Sequence, residues 1–460
     1  MSNTHFTVNV LEQCRITPPP NTTPTTSILP LTFFDLPWLF FSPSQPLFFY
    51  EFPTFHFTTT ILPKLKQSLS LTLQHYYPFA GSFVPSHDHS KPHLIYTNNN
   101  SVPLTISESN GNFNHFCSNH IRDVKDFHLL VPKLACEGNE FPLLAIQVTL
   151  FPRVGICIGI TFHHVVADGR TFHNFFKTWA SYCSSGSAST FRPKSLPCCD
   201  RSVIVDANGL EEVFLKEWKK RGLAQGIAIG REAKLVDLSV LVRATFLMGT
   251  TQMEKIKCLI INCCKDKNQP QPVHLSAYVL ACAFTWVCLL KTQQSVNVKA
   301  IHEDNTYLGF IAGGITRLDY AVPMTYLGNC VGFGRASVKR EDILGEDGVV
   351  AAAKAIGSTI KKLDASIFAG AEKWILDWDV LHGSKQHVYA TWSPKLKPYE
   401  LDFGWGRPKK IEEISIDFTG AFSLIQSRDI EGGIEIGLAL PKNEMDTFSI
   451  LFTKGLDALP

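Results

Sequence analysis

The sequence predicts an α/β protein built from two large domains, and three observations carry that expectation. The chain has 460 residues, 45% of them hydrophobic, whereas single cores rarely grow much past roughly 250–300 residues. Two short apolar runs, "LLAIQVTLF" and "VGICIGITF", lie between residues 143 and 162, and their β-branched content favours buried strands. A helix with aromatics on one face follows them directly: Phe172, Phe175, Phe176, Trp179 and Tyr182 recur at helical spacing from Thr171 onward.

The elements around this centre follow from local chemistry. "RITPPPNTTPTTSILP" is extended and turn-like, because proline fixes its own φ and biases its predecessor away from helix. After "LTFFDLPWLFF" (31–41), residues 58–81 read as a helix, with Leu65, Leu69, Leu73 and Tyr76 at spacings of three and four and with Pro78 and Gly81 ending the pattern. The Ser, Gly and Pro content of "CSSGSASTFRPKSLP" (183–197) marks a crossing loop. Beyond it, "HLSAYVLACAFTWVCLL" is a strongly apolar helix candidate, followed by "VPMTYLGNCVGFG" (322–334) and "YELDFGWGRPKK" (399–410).

Composition excludes several classes of function. The 43 basic and 41 acidic residues nearly cancel, and no basic block is interleaved with aromatics, so no nucleic-acid partner is expected. The N-terminus lacks a charged segment followed by an apolar core. No run reaches the ~18–20 apolar residues of a membrane span, so the chain is expected to be soluble and cytoplasmic. Thirteen cysteines with no CxxC pair fit free thiols in a reducing compartment.

The chemistry centres on "TFHHVVADGR" (161–170), the turn between the buried strand and the amphipathic helix. His163 and His164 at a strand end point to opposite faces, which counts against a zinc site needing three or four convergent ligands, and no HExxH spacing is present. No metal is expected. A catalytic reading needs one imidazole, which takes a proton from a hydroxyl as that oxygen attacks. Asp168 then fixes the turn, and Gly169 permits a backbone conformation or a close approach. The plainer alternative makes His164 a core histidine and Asp168 a helix N-cap, and for an isolated HxxxD that reading is preferred.

The second half changes the balance. HHVVADG and DFGWG, in this order and well separated, resemble the BAHD family of plant acyl-CoA-dependent acyltransferases. LTFFDLPW, YYPFAG, YLGNC and "IEIGLALPKNEMDTF" are similar to the clade of anthocyanin and phenolic-glucoside malonyltransferases. The resemblance implies two chloramphenicol-acetyltransferase-like α/β domains, each a mixed sheet with flanking helices, over residues 1–182 and 211–460. A crossing loop, 183–210, joins them, and His164 sits in a channel between them. It further implies a monomer with acyl-CoA as co-substrate, a small-molecule acceptor and no cofactor.

The same resemblance assigns roles. His164 is the general base, and Asp168 turns away to pair with an arginine, for which Arg317 is the candidate. Asp402 joins them in the catalytic set, with a geometric rather than proton-transferring part. Gly169, Phe403, Gly404, Trp405 and Gly406 support the channel. A thioester's leaving thiol, with pKa near ~8.5, departs largely without an acid, but the developing oxyanion needs donors, expected from Thr391, Trp392 and Ser393. This chain departs from its relatives in "GGITRL", which keeps the second arginine alone, and in Leu327 replacing the aromatic of YFGNC. For the donor, Arg170 is the candidate cation for a malonyl carboxylate. Phe418 in "SIDFTGAF" stands where malonyl-transferring relatives often carry a basic residue, which favours acetyl over malonyl. The expected acceptor is a hydroxyl, or else an amine, of an alkaloid, flavonoid or glycoside. The rivals are a flavonoid or phenolic glucoside malonyltransferase, a thioester hydrolase and a non-catalytic binding protein.

Overall fold

The two apolar runs at 144–162 form an antiparallel hairpin whose ends pair Leu144 with Phe162 and Phe151 with Gly155. All eight residues of each strand are buried, as near-continuous apolar strands covered on both faces must be. The computed structural model describes residues 6–85, 91–134, 140–185, 195–221, 236–296, 304–383 and 387–459. Most of the central part of the expected crossing loop, 186–194, lies outside the described residues.

The strands of the first half are β1 (Val8–Ile16), β2 (Thr26–Pro30), β3 (Pro46–Glu51), β4 (Ser82–Val84), β5 (His93–Thr97), β6 (Val102–Ser109), β7 (Arg122–Asp123), β8 (Phe141–Pro142), β9 (Leu144–Phe151) and β10 (Gly155–Phe162). Those of the second half are β11 (Leu241–Met248), β12 (Asn305–Gly313), β13 (Val331–Lys339), β14 (Val388–Thr391), β15 (Lys410–Glu413), β16 (Phe422–Gln426) and β17 (Ile434–Pro441). Two large mixed sheets result, ordered β1-β6-β9-β10-β3-β15 and β13-β12-β14-β16-β17-β11-β7, with a small sheet β2-β5-β4-β8 beside them. Helices flank them, which makes the class α/β.

Each large sheet ends in a strand from the other half of the chain. β15 pairs with β3, and β7 pairs with β11. Buried charges lock this exchange: Arg122 on β7 donates to Glu412 on β15 at 2.7 Å, and Arg243 on β11 reaches the other Glu412 oxygen at 3.1 Å and also pairs with Asp417. Burial alone raises a carboxyl pKa, but Arg122 and Arg243 outweigh it and hold Glu412 down at about 2. Removing one partner of such a buried set costs roughly 3–5 kcal/mol, because a charge is then stranded.

The helix expected over 58–81 spans Leu62–Leu73. Tyr76 falls outside it: its backbone leaves the helical region at φ −112° and ψ 36° and leads into the 3-10 turn Tyr77–Ala80. The apolar segment at 274–290 lies largely in the helix Ala277–Val296, which is buried along most of its length between the helices Gly348–Ala365 and Lys442–Asp457. It is apolar all round because it is a core helix. No described helix is long and apolar enough to cross a membrane.

The described end of the crossing segment packs against the YLGNC stretch. Cys198 exchanges backbone hydrogen bonds with Thr325 and Leu327 at 2.9 and 2.8 Å, and Arg201 donates to the Tyr326 hydroxyl and the Leu327 carbonyl.

Candidate active site

Asp168 starts the helix Gly169–Ser184 by accepting the Thr171 amide at 2.8 Å, the bond that an N-cap supplies to an otherwise orphaned donor. Phe172, Phe175, Phe176 and Trp179 bury the helix's inner face, and the Trp179 indole donates to the Leu65 carbonyl at 3.1 Å. Phe172 stacks on Phe162 of β10 with centroids 4.4 Å apart and planes 4° apart, so the turn between strand and helix is held from both sides. Burying each such ring contributes on the order of 2–3 kcal/mol.

The turn separates the two histidines. His163 is buried, lies near Phe83 with ring centroids 6.4 Å apart, and accepts the Val165 amide at Nδ1. His164 lines a cavity of about 1690 Å³ whose other walls come from both halves of the chain. Its Nδ1 lies 3.1 Å from Asn329 Oδ1. The Asn329 amide nitrogen donates to Asp35 and to the His164 carbonyl, each at 2.9 Å, which leaves the oxygen as acceptor. His164 therefore carries its proton on Nδ1, and Nε2 keeps a lone pair. Burial pulls the His164 pKa down to about 4, against upward pulls from Asp168, Asn329 and Asp35, so the ring is neutral at physiological pH.

Asn329, Asp35 and Trp38 are the site residues that pattern reading missed. Asp35 carried a signal: it is the sole charge inside "LTFFDLPWLFF", and a charge that is fully buried needs partners. It finds them in Thr32 and in both nitrogens of Asn329. Trp38 stacks on His164 with centroids 3.6 Å apart and planes 14° apart.

Several expectations are corrected. Arg317 does not reach Asp168; it bonds Asp364 at 2.7 Å and the Gly313 carbonyl. The arginine beside Asp168 is Arg170, at 3.6 Å. Its guanidinium, which lines the cavity, also donates to the Met324 and Tyr326 carbonyls at 2.8 and 2.9 Å. Asp402 does not line the cavity. One of its oxygens accepts the Gly404 and Gly406 amides at 2.7 and 2.9 Å, so it shapes its own loop instead of joining a catalytic set.

That loop lies behind the helix. Phe403 packs edge-on to Phe176 and Trp179, and Trp405 stacks on Phe52 at 5.0 Å. Gly404 has φ of 101° and passes so close that a Cβ there would come within 3.1 Å of Ser184 Cα. Gly169 answers to close approach alone, with Leu396 at 3.2 Å from a built Cβ and no positive φ.

Thr391, Trp392 and Ser393 all line the cavity. Trp392 sits in the left-handed region at φ of 64°, which costs on the order of 1–3 kcal/mol. Its indole N–H is bound to Glu413 at 2.6 Å, so the ring is not an oxyanion donor. Ser393 Oγ accepts the Lys395 amide, which leaves its own proton to donate. Phe418 also lines the cavity, from the short helix Ile416–Thr419, with its ring 5.0 Å from that of His128.

A neutral imidazole whose Nε2 keeps a lone pair, lining a cavity walled by both large sheets, is an arrangement that a base-catalysed transfer can use. A model of the Transferase family matches residues 6–453. The chain belongs to the BAHD acyltransferases. It is 34% identical to malonyl-coenzyme A:anthocyanin 3-O-glucoside-6''-O-malonyltransferase of Dahlia pinnata, with 98% of each chain covered. It is 36% identical to coumaroyl-CoA:anthocyanidin 3-O-glucoside-6''-O-coumaroyltransferase 2 of Arabidopsis thaliana, with 97% of each covered. Among solved structures, vinorine synthase matches with a TM-score of 0.69 at 17% identity, covering 97% of this chain and 98% of that one, and so shares the fold. As a BAHD protein the chain is an acyl-CoA-dependent acyltransferase with a chloramphenicol-acetyltransferase-like fold.

Proposed function

We propose that this BAHD enzyme transfers a small neutral acyl group, acetyl ahead of malonyl, from CoA to a hydroxyl of a flavonoid, alkaloid or glycoside, with His164 as base. The observation that carries this reading is the Asn329 bond to His164 Nδ1, which leaves Nε2 unprotonated on the cavity. The acceptor hydroxyl gives its proton to Nε2 as its oxygen attacks the thioester carbonyl. The tetrahedral oxyanion, met by the Thr391 and Ser393 hydroxyls, collapses and breaks the C–S bond. The departing thiolate takes the proton back from the imidazolium. The scheme requires neither metal nor cofactor, and one chain supplies both walls of the channel, as a monomer needs.

Acetyl is favoured because Phe418 lines the cavity where a malonyl-binding cation was expected, and Arg170, the cation beside Asp168, already donates to two carbonyls. A malonyl carboxylate buried without a cation is costly. The name of the Dahlia relative favours malonyl instead, but the Arabidopsis relative, at 36% against 34% identity, is named for coumaroyl transfer. Equimolar acetyl-CoA and malonyl-CoA with a phenolic glucoside, read by product mass, test the donor. Predominant acetylation is expected, with Phe418→Arg moving the ratio about tenfold toward malonyl; a clear malonyl preference overturns the assignment. Thiol release that does not depend on acceptor would instead mark a hydrolase.

A further inference from the structure

We propose that Trp38 is a positioning residue for the transfer reaction: its indole face holds the His164 ring in place and stabilises the imidazolium that forms when the ring accepts the acceptor's proton. The inference rests on the reading of His164 as the base.

The two rings are 3.6 Å apart and 14° from parallel. Trp38 is itself immobilised, being 8% exposed and packed on Phe41, whose ring meets Trp378 edge-on at 4.5 Å. It belongs to the 3-10 turn Leu36–Phe40, which begins beside Asp35. The same carboxylate that orients Asn329 therefore also sits at the start of the turn that carries the stacked indole.

The energetic consequence is a difference between two states. A neutral imidazole gains mainly dispersion from an indole face, whereas an imidazolium gains the attraction of a cation to the ring quadrupole, strongest for tryptophan and larger when desolvated. An interaction that strengthens as charge develops raises the rate instead of merely tightening binding. The charged and titratable neighbours of His164 leave room for this contribution. Asp168 is engaged by the Thr171 and Cys330 amides and lies beside Arg170. Asp35 is engaged by Asn329 and lies 4.0 Å from Arg201. His163 is held neutral by burial, and burial together with Asp168 pushes the Cys330 thiol up to about 12.

The test compares Trp38→Leu and Trp38→Phe with the wild type and with His164→Ala, using brief pH-jump assays and tryptophan fluorescence. Loss of the indole should move the acid limb of kcat/KM down by about 0.5–1.5 pH units in Trp38→Leu and by less in Trp38→Phe. Turnover at neutral pH should fall about 3- to 30-fold, with KM for acyl-CoA nearly unchanged. In the wild type, acid should quench part of the emission as His164 protonates, and that component should vanish in both His164→Ala and Trp38→Phe. An acid limb at the wild-type position in the Trp38 variants overturns the proposal. Should Trp38→Leu not fold, Trp38→Phe and the quench decide it alone. Activity retained by His164→Ala refutes the base itself, whereas an inactive His164→Ala beside unshifted Trp38 variants refutes Trp38 alone.

Discussion

Asp168 Oδ2 accepts the backbone N–H of Cys330 at 3.2 Å, so the carboxylate that caps the site helix also holds the YLGNC segment of the other half. Asn329, the neighbour of Cys330, is the residue that orients His164. Asp168→Ala should therefore do two kinds of damage. It removes an N-cap worth about 1 kcal/mol and strands a buried amide at a cost of about 1–3 kcal/mol, and it loosens the support for the base. Melting temperature should fall in the order wild type, Asp168→Asn, Asp168→Ala, with turnover in the alanine variant down at least tenfold. An unchanged melting temperature in Asp168→Ala would contradict this role.

His164→Ala should abolish transfer while sparing the fold, since the half-buried ring carries little of the core packing. A loss of kcat of at least ~10²-fold is expected, the lower range for general-base catalysis, with CoA binding by calorimetry nearly intact. Near wild-type turnover would remove His164 from the mechanism.

Burial holds both adjacent histidines below the ordinary range, His163 at about 3 and His164 at about 4. In the unfolded chain each titrates near ~6.5. Between those values the unfolded state binds protons that the folded state refuses, so this stability is complete above about pH 6.5 and is lost as pH falls toward 4. His163→Phe deletes one such group outside the cavity. Its melting temperature should fall less steeply over that window than the wild type's, with turnover at neutral pH largely kept. Parallel melting curves against pH would show that His163 does not titrate with unfolding.

Asp402→Asn should retain most activity and stability, because an amide oxygen can still accept the Gly404 and Gly406 amides. Asp402→Ala should lower the melting temperature by a few degrees, as loss of a loop-shaping acceptor costs about 1 kcal/mol. If Asp402→Asn folded normally and yet lost the chemical step, Asp402 would be a proton acceptor after all.

Much of the fold was legible because its signals are local. The runs at 143–162 carry strand composition within nine-residue windows, and the aromatics from Phe172 to Trp179 repeat with the helical period, so the strand, turn and helix around HHVVADG follow from nearest neighbours. The helix over 62–73 was read too long for a related reason. Tyr76 kept the apolar spacing, yet its backbone left the helical region for the 3-10 turn that follows, a choice that periodicity does not encode.

The sequence by itself determined the α/β class, the placement of His164 at a strand-to-helix turn and, through HHVVADG and DFGWG, the acyltransferase family. The tertiary structure alone decided which side chains meet. Asn329 reaches His164 across 165 positions and Asp35 across 294. Arg170 takes the place beside Asp168 that Arg317 was expected to hold, and Trp38 covers the imidazole. Partners as far apart as Asn329 and His164 leave no periodic trace in a chain, because their pairing is set by how whole sheets pack and by the need of each buried polar group for a complement in reach.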